Sequence, residues 1–383
     1  MFCVDATLHA AFNFPINILL NGKDAGISED NVRLLFEESG AAGLFLNETW
    51  GAYPDVIDHL LSAADRYQVP LLLKTDSANS EGYIEQTVEA VMGKTVIAVG
   101  VSGIGGGHLD AMKLVGVKNV IPVSIASSLI LTENSLSELK DLLMYEFYAY
   151  DSAAKTGLID SLAHPETMKA EAVLHDKGAI PIIASGHSAL GRINDMIKKT
   201  WQLAHVMKAQ RGALPEDTES HDNTRVKRYI SKYTINPARA LGIDEYVGSL
   251  EVGKLANLVV WDPAFFGVTP DTVFVNGTIA QEYISNARNA LNILQPLRRR
   301  RSSRGNGVTF VSPTALKNKI NEKLGCYNQF IPIKPSHRDM VLNDYFPRTE
   351  FDPETRVVTA DGEELHMSSV TDAQPLEALY SNT

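Results

Sequence analysis

Residues 43–73 read GLFLNETWGAYPDVIDHLLSAADRYQVPLLL. Two short apolar runs, Gly43–Leu46 and Val69–Leu73, enclose the segment Tyr53–Tyr67, in which apolar residues recur at helical spacing. A strand, a helix and a second strand in this order predict a parallel βα unit, because the helix returns the chain to the start of the next strand.

The same alternation extends to both sides of this unit. Six candidate strands are short and rich in apolar residues: Ile16–Leu20, Gly43–Leu46, Val69–Leu73, Thr95–Val99, Asn119–Val123 and Ile180–Ala184. The other helical patterns are Ser28–Ser39, Ser80–Val91, Leu136–Tyr148 and Pro165–Lys177. A doubly wound sheet and a (β/α)8 barrel both show this alternation, and a closed barrel of that type needs about eight strands.

Charge and composition narrow the class of protein. The chain of 383 residues carries a formal net charge of −11, which disfavours nonspecific binding to nucleic acid or to anionic membranes. The start of the chain lacks a secretory pattern, and the longest apolar stretch is too short and too interrupted to span a membrane. With only Cys3 and Cys326 a disulfide framework is excluded, so we expect a cytoplasmic protein.

The second half of the chain follows a different pattern. The predicted elements are a long helix over Asn194–Arg211, a helix over Thr224–Lys232 and a strand-and-turn region over residues 247–279. The basic run Arg298–Arg301 is typical of a solvated loop, with a partner-binding patch as the alternative. Near the end of the chain, Asp361-Gly362 between two extended segments predicts a β-hairpin.

Three groups of motifs carry a family resemblance. They are KYTINPA (residues 232–238) with VGSLEVGKLANLVVW (247–261), then GR (191–192) with TWQ (200–202) and residues 222–230, then GGGH (105–108) with NVIP (119–122). In sequence and order they resemble amidohydrolase-type barrels and, most specifically, the urease catalytic (alpha) subunit family. The resemblance runs from near residue 10 to about residue 365. It implies an α/β fold, a urease-type TIM-like barrel with a small β-subdomain and a C-terminal extension.

The resemblance also implies a particular chemistry. Members of the urease family hydrolyse urea with two nickel ions, which a carbamylated lysine bridges and histidines and one aspartate coordinate. Two such cations polarise the urea oxygen and lower the pKa of a bound water, so that hydroxide is available near neutral pH. A histidine on a mobile flap completes the site.

The positions that match these functional residues hold other residues in this chain. In the order bridging lysine, substrate-contacting histidine, two ligand histidines, flap histidine and ligand aspartate, they are Phe45, Asn47, Lys74, Gly100, Phe147 and Gly186. Phenylalanine and glycine side chains offer a metal no donor atom. The resemblance therefore implies a degenerate member that has lost the nickel ligands, and we expect no metal and no cofactor.

The family's His-x-His pair on its first barrel strand has no counterpart in the chain. On this alignment the first two strands are absent, which agrees with the count of six. We therefore expect an incomplete barrel over residues 1–235, a β-subdomain return segment over 236–285, a basic loop over 286–306 and a C-terminal extension over 307–383.

Polar residues near the vacated positions are candidates for a replacement site. His187 directly follows the position of the ligand aspartate, and Lys74, Asp76, Glu48 and His108 could share its side of the barrel. A lysine there would supply one positive charge in place of the metals. Under the structural alternative, Lys74 fills and neutralises a vacated polar cavity, and the histidines are hydrogen-bonded loop residues.

The resemblance and the substitutions together predict a non-catalytic, urease-like binding or assembly component. Exposed sheet edges beside the absent strands favour pairing with another chain, so we expect a homo-oligomer or a complex with urease-type subunits. The alternatives are a metal-free or re-purposed amidohydrolase-type enzyme that uses His187, Lys74 and Asp76, a truncated urease chain, and a regulator that co-assembles with an active urease.

Overall fold

The fold alternates short strands with helices over its first half. The computed structural model describes residues 2–11, 16–23, 28–47, 52–74, 84–103, 109–125, 134–146, 156–157, 159–160, 163–185, 193–267, 270–284, 293–296, 307–324 and 329–370. The α-helices are α1 (Phe2–Ala11), α2 (Glu29–Glu37), α3 (Pro54–Tyr67), α4 (Ile84–Ala90), α5 (Ser135–Glu146), α6 (Pro165–Lys177), α7 (Ile193–Arg211), α8 (Thr224–Ser231), α9 (Ile235–Ala240), α10 (Pro313–Lys317) and α11 (Ile320–Leu324). Short 3-10 helices cover Leu109–Gly116 and Pro263–Phe265.

Within the described part of the chain, the strands form four sheets. They are β1 (Ile18–Leu19), β2 (Asn21–Lys23), β3 (Gly43–Asn47), β4 (Leu71–Lys74), β5 (Val96–Val99), β6 (Val120–Ile125), β7 (Ile182–Ala184), β8 (Leu258–Val260), β9 (Thr272–Val275), β10 (Thr278–Ile284), β11 (Ile293–Pro296), β12 (Val308–Val311), β13 (Gln329–Pro332), β14 (Thr349–Phe351), β15 (Val358–Ala360) and β16 (Glu363–Glu364).

A parallel sheet of six strands organises the first half of the chain. Its order is β2-β3-β4-β5-β6-β7, with every neighbouring pair parallel. This confirms the predicted α/β class and the count of six parallel strands. Among the described residues β2 and β7 do not pair, so within them the sheet is open and a closed barrel is not seen.

The first predicted strand, Ile16–Leu20, is wrong in its position. The strand that joins the six-stranded sheet is Asn21–Lys23, which pairs with β3. Ile18 and Leu19 instead pair with β12, in a separate parallel sheet of order β1-β12-β13. The segment therefore binds the C-terminal part of the chain through its apolar start, and the six-stranded sheet through its polar end.

The remaining two sheets are antiparallel. One has the order β11-β10-β9-β8, and the other, β14-β15-β16, contains the predicted hairpin. Ala360 pairs with Glu363, and the two intervening residues, Asp361 and Gly362, have φ values of 53° and 81°. Positive φ at both positions is the requirement of a type I′ turn, so the Asp-Gly prediction is confirmed.

The chain sequence places the helix ends as capping rules require. Ser28 accepts a hydrogen bond from the Asn31 amide at the start of α2. Helix α6 begins with Pro165 in its first turn and ends at Lys177, and its C-cap residue, Gly178, takes the left-handed conformation that favours glycine. These caps fix where the connections enter and leave the sheet.

The six-stranded sheet has two distinct faces. One face, which carries Leu44, Leu71 and Ala98, is buried in the large core against the helices. The other face, called the inner face below, carries a second apolar cluster with Ile97 and Ile182. Within the described residues, no helix combines the length and the apolar character needed to cross a bilayer.

Candidate functional site

The carboxyl ends of β3, β4 and β5 lie side by side on the sheet. Asn47, the last residue of β3, pairs with Lys74, the last residue of β4, and Lys74 pairs with Val99 of β5. Val99 in turn pairs with Val123 of β6. Paired residues of parallel strands place their side chains on the same face, so this row forms one end of the inner face.

Alternation along each strand fixes which side chains share that face. Leu44 and Leu46 are buried in the core beneath the helices, so Phe45 and Asn47 lie on the opposite, inner face. By the same alternation, Lys74 lies on the inner face with Leu72, which packs against the inner apolar cluster. Three of the positions that match functional residues of the urease family, Phe45, Asn47 and Lys74, therefore lie together on the inner face.

Four of the positions that match functional residues of the urease family lie in the described part of the chain, and their surroundings differ. Asn47 is 7% exposed, whereas Phe45 and Lys74 are half-buried. Gly100 follows β5 with φ +85°, and its amide donates to the Val123 carbonyl at 2.9 Å. A Cβ at Gly100 would meet nothing within 4 Å, so its backbone conformation, and not crowding, is what favours glycine there.

Six of the predicted site residues lie outside the described residues. They are Glu48, Asp76, His108, Phe147, Gly186 and His187. The predicted grouping of His187, Asp76, Glu48 and His108 with Lys74 therefore stays a prediction. The basic run Arg298–Arg301 also lies outside the described part of the chain.

A buried polar group that sequence analysis did not single out lies on the helical side of the sheet. Glu171 of α6 is fully buried and accepts hydrogen bonds from the Gly103 amide (2.7 Å) and the Ser124 hydroxyl (2.5 Å). A Cβ on Gly103 would lie 2.3 Å from the Met168 Cα, so only glycine permits this close approach of the loop to α6. Glu171 therefore ties the end of β6 and the loop after β5 to one helix.

His175 lies one helical turn after Glu171. Its Nε2 is 3.8 Å from a Glu171 carboxylate oxygen. Complete burial lowers the pKa of His175 well below its usual range, and the nearby positive charge of Lys232 lowers it further. The imidazole is therefore held neutral inside the fold.

Asp176 is the acceptor for cationic side chains of two other helices. Arg225 of α8 donates to it through Nε at 2.7 Å and Nη2 at 3.1 Å, and Arg211 of α7 donates at 3.1 Å. The Tyr229 hydroxyl lies 3.3 Å away, and its pKa is raised well above the usual value by burial and then by Asp176. This cluster joins α6, α7 and α8.

Lys232, the first residue of the KYTINPA motif, is a fully buried amine. It donates to the Ile180 carbonyl at 2.5 Å and to the Asn343 side-chain oxygen. Burial, and secondarily Arg228, lower its pKa well below the usual range. Asn236 of the same motif donates to the Pro181 carbonyl at 3.0 Å.

These contacts locate the family motif at the amino end of β7. Ile180 and Pro181 precede that strand, whereas catalytic groups of parallel α/β barrels come from the carboxyl ends of strands. The motif therefore joins α8, α9 and the C-terminal segment to the sheet and stabilises the fold. The available sequence signal was a lysine four residues before Asn236, but only a partner more than 100 residues away, Asn343, reveals the role of Lys232.

Comparison with solved structures gives similarities of moderate extent. The D-hydantoinase (dihydropyrimidinase) from Thermus sp. is 14% identical with a TM-score of 0.48, covering 81% of this chain and 77% of that one. The dihydropyrimidinase from Brevibacillus agri is 11% identical with a TM-score of 0.47, covering 87% and 77%. The zinc complex of atrazine chlorohydrolase from Arthrobacter aurescens is 13% identical with a TM-score of 0.40, covering 73% and 64%.

Assignment to a family rests on a separate comparison, with a family model. The model described as "Amidohydrolase family" matches residues 23–280, which begins in β2 and ends in β10. The match includes the last residue of β2, all of β3 to β7, the KYTINPA motif, strands β8 and β9, and the start of β10. With this match over more than half of its length, the chain belongs to the amidohydrolase family.

Proposed function

We propose that this amidohydrolase-family chain is urease-like, does not hydrolyse urea, and acts as a binding or assembly component. The observation that carries the proposal is the position of Phe45. It lies on the inner face of β3, where the resemblance to urease requires the bridging lysine, and it pairs with Leu72 of β4. An aromatic ring at this position cannot form a carbamate and gives a metal no donor.

The other described positions support the same proposal. Gly100 has no side chain, and its positive φ disfavours a histidine. Lys74 places a cation where a metal would need a neutral imidazole, and Asn47 supplies a neutral amide. Among the described residues, no three His, Cys, Asp or Glu side chains are grouped to hold a metal ion. This donor set does not fit two nickel ions.

The test is elemental analysis of the purified chain, before and after incubation with nickel and bicarbonate, together with a urea hydrolysis assay. We expect nickel far below stoichiometric and no urea hydrolysis. Phe45→Lys restores the bridging side chain alone and should still bind no nickel, because Lys74 and Gly100 are unchanged. Stoichiometric nickel in the wild-type chain would refute the proposal.

A second candidate function is a re-purposed, metal-free amidohydrolase-type enzyme that uses Lys74, Asp76 and His187. The half-buried position of Lys74 on the inner face supports it, because partial burial suits a group that contacts a substrate. Hydrolysis of small amides and esters that disappears in His187→Ala would establish this function. Hydrolysis rates that equal the uncatalysed background for both the wild type and His187→Ala would refute this second function.

We further propose that the chain works as a homo-oligomer or in a complex with urease-type subunits. Support comes from β8, an edge strand of the antiparallel sheet whose three residues are all exposed. An exposed apolar edge of this kind pairs readily with a further strand.

A further inference from the structure

Three asparagine side chains meet at one point of the fold, called the asparagine junction below. Asn17 directly precedes β1, Asn257 directly precedes β8, and Asn276 lies in the turn between β9 and β10. The side-chain amides of Asn17 and Asn276 form a reciprocal pair, in which Asn276 donates at 2.9 Å and Asn17 donates back at 3.3 Å. Asn17 also donates to the Asn257 oxygen at 3.3 Å. The junction therefore ties the four-stranded antiparallel sheet to the start of β1.

Two backbone amides fix the direction of these hydrogen bonds. Val308 of β12 donates to the Asn17 oxygen at 2.9 Å, and the backbone amide of Asn276 donates to the Asn257 oxygen at 3.0 Å. If the Asn17 side chain turned over, its NH2 group would face the Val308 amide and its oxygen would face the Asn257 oxygen. Because an asparagine donates only through nitrogen and accepts only through oxygen, the junction has one orientation.

Asn276 is followed by Gly277, and this dipeptide is chemically reactive. In an asparagine–glycine sequence the glycine nitrogen can attack the asparagine side chain, because glycine has no side chain to hinder the approach. The two residues form the hairpin turn between Val275 and Thr278, with φ values of 50° and 73°, as a type I′ turn requires. Gly277 is exposed, so water reaches the turn.

The fold restrains both reacting groups. The Gly277 amide donates to the Ala256 carbonyl at 2.9 Å, so this bond must break before the nitrogen can attack. The Asn276 side chain is half-buried and held by Asn17. The reaction therefore requires the turn to open locally.

We propose that Asn276 is a site of spontaneous deamidation, which the asparagine junction slows and whose product opens the junction. The Gly277 nitrogen loses its proton and bonds to the Asn276 Cγ, the bond from Cγ to Nδ2 breaks, and Nδ2 leaves as ammonia. One water molecule then opens the succinimide to aspartate or isoaspartate. The aspartate product places a carboxylate oxygen against the Asn17 oxygen, where the fixed orientation of Asn17 offers no donor. The isoaspartate product also lengthens the main chain of the turn by one carbon.

The first test follows the reaction itself. Wild type is incubated at mildly alkaline pH, folded and in guanidinium chloride, and tryptic peptides are weighed for the replacement of the side-chain NH2 by OH. Asn276 should react like Asn21, which also precedes a glycine, in the unfolded chain, and much more slowly in the folded chain. Asn17→Ala should speed the reaction of the folded chain roughly tenfold, the equivalent of one or two hydrogen bonds. Equal rates in the folded and unfolded wild type, or an unchanged rate in Asn17→Ala, would overturn the proposal.

The second test uses the product and does not require Asn17→Ala to fold. Asn276→Asp carries the deamidated side chain, whereas Asn276→Gly removes the amide without adding a charge and tolerates the positive φ. Hydrogen exchange should show β9 and β10 less protected in Asn276→Asp than in Asn276→Gly, with β3 to β6 unchanged in both. Asn31→Asp, the same change at an exposed position of α2, should match wild type. Protection of β9 and β10 in Asn276→Asp that equals that of wild type or of Asn276→Gly would overturn the proposal.

This site involves neither the inner face nor the positions that match the nickel ligands. Nickel content and urea hydrolysis therefore leave the result of both tests unchanged. Failure of the proposed function and failure of this inference are separate outcomes.

Discussion

Asp176 is the residue at which three helices share one carboxylate. It is 1% exposed and binds Arg225, which is 4% exposed, through two hydrogen bonds. Burying an arginine is tolerated only because its charge is compensated and its donors are bound. Arg225 itself keeps a raised pKa: burial alone would lower it, but the Asp176 hydrogen bond and charge more than offset that effect.

Removing the charge of Asp176 should therefore destabilise the whole fold. We expect Asp176→Asn to lower the free energy of unfolding by about 3–5 kcal/mol, because Arg225 is left buried without its counter-charge. Urea unfolding followed by circular dichroism measures the change. The matched control is Asp222→Asn, which breaks an exposed pair with Lys208 and should leave the midpoint unchanged. Equal midpoints for both variants would contradict this role.

The buried His175 should make the free energy of unfolding depend on pH. Its pKa is lowered in the fold, chiefly by burial, so below about pH 6.5 the unfolded chain binds a proton that the folded chain does not. Stability should therefore fall as the pH falls, by up to about 1.4 kcal/mol per pH unit below 6.5. A hydrogen bond with the Ile180 backbone raises the pKa of His175, but the effect of burial outweighs it.

The measurement compares unfolding midpoints at pH 7.5 and 5.5. His175→Leu should lose less stability than wild type over this interval, because its side chain does not titrate. His205→Leu, at an exposed position of α7, should behave like wild type. The same pH dependence in wild type and His175→Leu would show that this histidine is not the acid-sensitive group.

For helix α6, the sequence predicts the bounds of the helix but not the contacts of its polar side chains. Its bounds, Pro165–Lys177, agree with the helical pattern of the sequence. Its polar contacts could not be predicted from that pattern, because the partners are distant in sequence. Glu171 binds Gly103 and Ser124, which are 68 and 47 residues away, and Asp176 binds Arg225, which is 49 residues away. Local patterns fix the helix, whereas only the packed fold decides which of its polar residues are buried.

For strand β2, the sequence pattern predicted the wrong residues. The sequence pattern favours the apolar run Ile16–Leu20, but the sheet takes the polar triplet Asn21–Lys23 as its edge strand. An edge strand needs few apolar residues, so the alternation of apolar and polar residues along it is weak. Ile18 and Leu19 of the apolar run pair instead with the C-terminal strand β12. The pairing of Asn47 with Lys74 follows from the order of the strands, because neighbouring parallel strands place their carboxyl ends together.

The β15–β16 hairpin provides a prediction at the scale of one turn. Gly362 has φ +81°, and a Cβ there would meet no atom within 4 Å, so any cost of a side chain comes from the backbone conformation. We expect Gly362→Ala to lower the free energy of unfolding by about 1 kcal/mol and Gly362→Asn to cost less, since asparagine tolerates the left-handed region. Thermal unfolding of both variants tests this, and equal losses for alanine and asparagine would argue against it.

At the scale of the whole molecule, the exposed apolar side chains of the described residues are concentrated at β8 and in the loop before it. Leu258, Val259 and Val260 of β8 are 38%, 49% and 47% exposed, and the preceding loop adds Leu250 at 82% and Val252 at 108%. Within the described residues β8 bonds only to β9, so its other edge carries backbone groups available for pairing. A sheet with apolar residues exposed on both faces of its edge strand is poorly suited to remain alone in water.

Pairing of β8 with β8 of a second copy would resolve this exposure. A two-fold axis makes such pairing antiparallel, which continues the antiparallel order β11-β10-β9-β8 across both copies. We therefore expect the purified chain to sediment as an oligomer, and Val259→Lys to shift it to a monomer, because a lysine at the centre of the edge strand is a poor neighbour for its own copy. The control is Val226→Lys, the same change at a valine of α8 that is 45% exposed, which should leave the oligomer intact. A wild-type chain that is a stable monomer would refute the pairing, and so would an oligomer that both lysine variants leave unchanged.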